Sequence, residues 1–134
     1  MSAADIKEAL QQAVTTVDGI VCAYLFGSQA RGDAGEKSDV DVAILLEKTP
    51  PATLAGLRPD IVAMLEARLR RPVDLVLLNH APADLVHRVL RDGVLIDERD
   101  RAARIAFEVK ARNEYFDLGP VRARYRAGAN ARAA

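Results

Sequence analysis

Residues 20–46 read IVCAYLFGSQARGDAGEKSDVDVAILL, and this stretch decides the fold. Two apolar runs with β-branched and aromatic members, Ile20 to Phe26 and Ser38 to Leu46, flank a polar segment punctuated by Gly27, Gly32 and Gly35. Runs this short, bounded by turn residues, predict two buried strands. The second alternates at its polar head and is then continuously apolar. Gly27 and Ser28 stand between the first strand and a short helix or turn. Free backbone N–H groups and a helix dipole can hold an anion at such a place. Gly27 lets the backbone approach a phosphate and the Ser28 hydroxyl adds a donor. For this pair alone, an ordinary turn is the competing reading.

Asp39 and Asp41 stand two residues apart at the head of the second strand. Period-two geometry puts both carboxylates on one face, about 6.6–6.8 Å apart along the backbone. Two-metal sites share oxygen ligands between ions roughly 3.5–4 Å apart, which such a pair can supply. Magnesium suits it, because that ion completes its shell with water and substrate phosphates. The alternative is a polar loop with a solvated Asp41; the apolar run to Leu46 weighs against it, since an unneutralised acid pair in a buried strand is costly. Asp74 is a lone acid near the start of a third predicted strand, Val73 to Leu78, entered through Pro72. Such a lone carboxylate, expected to be buried, needs a partner, and a metal or an ion pair with Arg70 or Arg71 would serve equally. Arg31, three residues after Ser28, can reach triphosphate oxygens or pair with Asp33 at the surface. His80 and His87 have no second ligand at metal spacing. Cys22 lies in an apolar strand and is expected to be inert packing.

Helical periodicity marks the other elements. Ile6, Leu10, Ala13, Val14 and Val17 form one stripe, with Ser2 and Asp5 as a capping box in front. A second helix is expected from about Leu54 to Arg70, with Leu57, Ile61, Leu65 and Leu69 inward and Pro59 in its true first turn. Pro82 opens a third, carrying Leu85, Val86, Val89 and Leu90, and Gly93 is its expected C-cap. After a short extended piece, Val94 to Ile96, a last helix from about Arg99 to Phe116 is expected to turn Ala102, Ile105, Val109 and Phe116 to the core. Gly119 and Pro120 stop it. The fold class is α/β: a small mixed sheet flanked by helices, with the three aspartates along one open edge.

The bulk numbers fit one compact domain. Of 134 residues, 50% are hydrophobic and 28% charged, the balance of a folded and not a disordered chain. No apolar run approaches the roughly 20 residues of a membrane span. A first segment of acids and glutamines and a single cysteine lead us to expect a cytoplasmic protein without membrane contact. Net charge is zero, yet residues 1–120 carry −4 and the arginines after them +4. An acidic body is a poor match for duplex nucleic acid, and no such binding is expected. The basic tail, 121–134, is expected to be flexible, and the alternative is a polyanion-binding segment.

Gly27-Ser28-Gln29-Ala30-Arg31-Gly32, then Ser38-Asp39-Val40-Asp41, then Val73-Asp74-Leu75 resemble the signature of the polymerase-beta nucleotidyltransferase superfamily. Within it the chain is most similar to the minimal nucleotidyltransferase (MNT) antitoxins of HEPN–MNT toxin–antitoxin pairs. The likeness covers Leu25 to about Leu78, and more loosely continues to Tyr115-Phe116-Asp117. It implies a polymerase-beta-like nucleotidyltransferase domain over 1–120. Asp39 and Asp41 would hold two magnesium ions, and Asp74 would hold the catalytic one and orient or deprotonate the attacking hydroxyl. Gly27, Ser28 and Arg31 would bind the nucleotide. The implied activity is transfer of AMP from ATP to a tyrosine of a cognate HEPN RNase toxin, which silences it. The alternatives are a small-molecule (antibiotic-type) nucleotidyltransferase and an antitoxin acting by binding alone.

Overall fold

In a computed structural model of the protein, residues 3–27, 39–48 and 57–116 are described. They form helix α1 (Ala3–Val14), strands β1 (Ile20–Phe26) and β2 (Val40–Leu46), and helix α2 (Leu57–Leu69). Strand β3 (Val73–Leu77), helix α3 (Ala83–Asp92), strand β4 (Val94–Glu98) and helix α4 (101–116) follow. The predicted cap at Ser2, the helix start before residue 57 and the tail 121–134 lie outside the described residues.

The four strands form one mixed sheet in the order β3-β2-β1-β4. β1 is antiparallel to both β2 and β4, and β2 is parallel to β3. The central strands β1 and β2 are buried almost throughout, because helices cover both faces and leave no side for polar residues. Ile6, Leu10, Ala13 and Val14 of α1 and Ile61, Leu65 and Leu69 of α2 pack on one face with Leu25, Val40, Val42 and Ile44. On the other, Val86 and Val89 of α3 and Phe107 of α4 meet Cys22, Tyr24, Phe26, Ala43 and Leu45. The expected mixed sheet flanked by helices is thus present. Among the described residues no helix is long and apolar enough to cross a membrane.

The β2–β3 register is pinned at both ends. The Val40 N–H donates to the Pro72 carbonyl at 2.9 Å, and the Leu78 N–H to the Ile44 carbonyl at 2.9 Å. Beyond that, the Asn79 amide takes the place of a strand residue: its Oδ1 accepts from the Leu46 N–H at 2.9 Å and its Nδ2 donates to the Leu46 carbonyl at 3.0 Å.

Three expectations need correction. The aspartates do not run along an open edge: Asp41 stands on the interior strand β2, and of the two cleft strands β2 and β3 only β3, with Asp74, lies at an edge of the sheet. Asp74 is exposed, not a buried lone carboxylate, because an edge strand can leave one row of side chains to water. The face assigned to the core in the last helix also points outward. Ile105 and Val109 are 43% and 47% exposed and Phe116 62%, while Ala103, Phe107 and Ala111 pack on the sheet. The cause is a polar network on the inward side, where the Tyr24 hydroxyl donates to Glu108 at 2.6 Å and Arg104 bridges Glu108 at 2.9 Å and Glu98 at 2.5 Å. Asp100 caps this helix by accepting from the Ala103 N–H at 3.0 Å.

Gly93 does follow α3, but with an extended backbone in place of the left-handed turn that usually selects glycine. A Cβ there would lie 2.4 Å from the Val89 carbonyl oxygen, so tight packing requires the glycine.

Asn79→Ala leaves the Leu46 N–H and C=O without partners, and a loss of about 2 kcal/mol is expected in urea unfolding. An unchanged midpoint would show that water replaces the amide. Burial pushes the Cys22 thiol from an ordinary 9.0 up to about 11, with a hydrogen bond to Tyr24 acting the other way. A raised pKa means that the folded state keeps a proton the unfolded chain loses. This stability is complete below pH 9 and falls as pH climbs toward 11. The urea midpoint of the parent should therefore drop over that window more than that of Cys22→Ala, and parallel curves would exclude the thiol as a cause.

Candidate active site

Phe26 of β1, Asp41 of β2 and Asp74 of β3 stand in one cross-strand row: Phe26 pairs with Asp41 and Asp41 with Asp74. In-register neighbours on adjacent strands share a face, with backbones about 4.8 Å apart. The row lies on the face packed by α3 and α4, one pleat beyond Ala43 and Val76. Beyond that layer the apolar cover ends, and the two carboxylates open onto a cleft of about 420 Å³.

Gly27 closes one side of the cleft with a left-handed backbone, φ +72°. A Cβ at this position would fall 2.1 Å from Asp41 Oδ2. Glycine is thus required twice, by its dihedral and by the carboxylate against it. Asp39, just before β2, is exposed and does not line the cleft. Ser28 and Arg31 lie outside the described residues. Among the described residues no three acidic, histidine or cysteine side chains converge as a ready-made metal cage.

α2 and α3 add charged groups that the sequence reading missed. Arg58 lines the cleft and donates to the Leu75 carbonyl. Leu85, Arg88 and Asp92 line it from α3, at spacings of three and four that place them on one helix face. The spacing is legible in the sequence, but the apolar stripe of the same helix is the stronger periodic signal. Among the described residues Asp74 has no ion pair, so neither Arg70 nor Arg71 claims it. His80 is exposed in the turn after β3. The His87 ring stacks on Tyr115 at 3.7 Å and 5°, and neither histidine lines the cleft.

No nucleophile of the protein's own serves the cleft among the described residues. Cys22 is buried behind it with a raised thiol pKa, and only a thiolate attacks efficiently. Tyr24 is likewise driven up, first by burial and then by its hydrogen bond to Glu108. What remains is a polar cleft with two in-register acids against a glycine turn, suited to binding a charged ligand and accepting a proton.

The polymerase beta nucleotidyltransferase profile matches residues 5–102, which include every described strand and all three carboxylates of the cleft, Asp41, Asp74 and Asp92. The chain belongs to the polymerase beta nucleotidyltransferase family. Its fold is that of known members. A toxin–antitoxin structure with AMP-PNP contains a chain 25% identical, superposed with TM-score 0.77 over 96% of this chain and 98% of that one. The tri-AMPylated Shewanella oneidensis HEPN toxin in complex with MNT antitoxin gives 22% identity and TM-score 0.72, over 98% of this chain and 99% of that one. A toxin–antitoxin MntA-HepT structure gives 23% and 0.71, over 96% and 97%. No curated protein matches the sequence.

In this nucleotidyltransferase, Gly27→Ala should displace the Asp41 carboxylate and strain the turn, at a cost of about 1–3 kcal/mol. Thermal unfolding measures it, and a melting point equal to the parent's would show that the turn relaxes without strain.

Proposed function

We propose that the cleft binds magnesium and ATP and transfers AMP to a tyrosine hydroxyl of a cognate HEPN toxin, so that the protein is the antitoxin of the pair, working in the cytoplasm. The observation that carries this reading is the register of Asp41 with Asp74 beside the Gly27 turn, in a chain of this family. The solved likenesses support the partner: one is a toxin–antitoxin structure with AMP-PNP, and another holds a tri-AMPylated HEPN toxin.

The donor set suits magnesium. Hard carboxylate oxygens are present, and this ion takes one or two of them and completes its octahedron with water and phosphates, so no closed protein cage is needed. Asp39 and Asp41 would hold two ions and Asp74 the catalytic one; when bound, magnesium neutralises phosphate charge and orients the reacting oxygens. The exposure of Asp39 and Asp74 is consistent with groups that receive their ligands from solvent.

The residues of the chain then have separable tasks. Gly27 and Ser28 receive the departing pyrophosphate through backbone and hydroxyl donors, with Arg31 reaching the same oxygens. Asp74 takes the proton of the acceptor hydroxyl. The acceptor oxygen attacks the α-phosphorus, its new P–O bond forms as the bond to pyrophosphate breaks, and no covalent protein intermediate arises. Positioning and charge neutralisation supply the rate, as phosphoryl-type transfer requires.

With its toxin, ATP and magnesium, the protein should add one or more AMP units to a toxin tyrosine, read by intact mass. The Asp39→Ala/Asp41→Ala double variant should remain folded and bind the toxin, yet leave its mass unchanged and fail to protect cells. Full protection by that variant, with no mass change on the toxin, would instead establish neutralisation by binding alone.

A further inference from the structure

The cleft contains three carboxylates, Asp41, Asp74 and Asp92, and two guanidinium groups, Arg58 and Arg88. Four of these five groups have partners or an assigned task. Arg58 is committed to the Leu75 carbonyl. Asp92 is held by its neighbour Arg91, with Nε to Oδ1 and Nη2 to Oδ2 both at 2.9 Å. Asp41 and Asp74 face the position of the metal ions in the reading above. Arg88 is different: among the described residues it makes no hydrogen bond or ion pair. An exposed arginine on a helix can pair with an acid three or four residues away. Arg88 has Asp92 at that spacing and leaves it to Arg91.

The two walls of the cleft differ in sign. The sheet wall presents Asp41 and Asp74 from β2 and β3, and the helix wall presents the Arg88 guanidinium, unpaired among the described residues, beside an Asp92 already held by Arg91. A ligand fitting between them carries anionic oxygens for the helix and binds cations toward the sheet, as a metal-chelated polyphosphate does. The guanidinium fork, with five N–H donors in a plane, matches two non-bridging phosphate oxygens at once. A neutral acceptor hydroxyl calls for a base and offers the fork no charge to meet.

We propose that Arg88 is a nucleotide-binding residue of this site, gripping triphosphate oxygens from α3 while the Gly27 turn approaches from β1. The assignment rests on the magnesium–ATP reading of the cleft and adds a residue that lies outside the glycine–aspartate motif. Arg88 therefore contributes to ATP affinity and leaves toxin recognition to other surfaces.

Calorimetric titration of the full chain with magnesium and AMP-PNP tests this. Arg88→Ala should bind AMP-PNP about tenfold or more weakly, the loss of one charge-assisted contact. Arg88→Lys, which keeps the charge without the fork, should fall between. Because Arg88 is exposed and makes no bond among the described residues, both variants should keep the parent's melting temperature. In the transfer assay Arg88→Ala should raise the KM for ATP and leave the KM for toxin unchanged. Equal AMP-PNP affinity for parent and Arg88→Ala overturns the proposal, as does a defect confined to the KM for toxin, which would move Arg88 to the partner interface. Should the parent bind AMP-PNP yet modify no toxin, the transferase reading fails and the calorimetry still decides Arg88. A parent that binds no AMP-PNP overturns both.

Discussion

The parallel pairing of β2 with β3 is the constraint on which the cleft depends. Asp41 and Asp74 belong to segments more than thirty residues apart in the sequence, and only this register sets them opposite one another. A slip of one residue would turn the β3 side chains over, sending Asp74 toward α2 and exposing Leu75 and Leu77. The hydrophobic pattern forbids that, since Leu75 and Leu77 are buried with Val42 and Ile44 in the core beneath α1 and α2. The Val40–Pro72 bond at one end and the Asn79 amide at the other hold the same alignment by hydrogen bonding. Packing and polar pairing thus specify one geometry, and the acid pair inherits it.

Placing carboxylates at the end of a buried sheet has an electrostatic cost that the fold limits by exposure. Asp41 is half-buried and Asp74 exposed, so water can solvate both while no cation is present. A fully buried pair would have needed permanent counter-charges, and those would compete with any ligand. The cleft therefore keeps both acids within reach of water, as the proposed metal–nucleotide site requires.

The strands were legible because β1 and β2 are covered on both faces, and a strand so covered must be apolar throughout. The Asp39–Asp41 spacing stood out against that run for the same reason. Position within the sheet was not legible: a five-residue apolar strand looks alike at the edge and in the centre, so Asp74 was read as buried. In α4 the apolar stripe of Ile105, Val109 and Phe116 satisfied helical periodicity and misled, since Tyr24 and Glu98 select the polar face through Glu108 and Arg104. Those partners lie on other elements, and the local pattern contains no trace of them. Arg58 and Arg88 were missed similarly, for a charged residue on a helix reads as solvated until the opposite wall is known.

The division between the family's shared core and α4 follows the same physics. Residues 5–102 contain all four strands and the three helices that complete one face and begin the other. Every described group lining the cleft lies within them. α4 comes afterward and covers the remainder of the second face, where Phe107, Ala103 and Ala111 pack over the central strands. One of its polar ties to the sheet is the Tyr24–Glu108 hydrogen bond, and Tyr24 stands one pleat behind Phe26 on β1. The tie thus reaches the row that carries Asp41 through a single rigid strand. Loss of that bond would loosen the cover behind the site before it disturbed the acids, because their alignment is fixed by β2 and β3 and not by the helix above them.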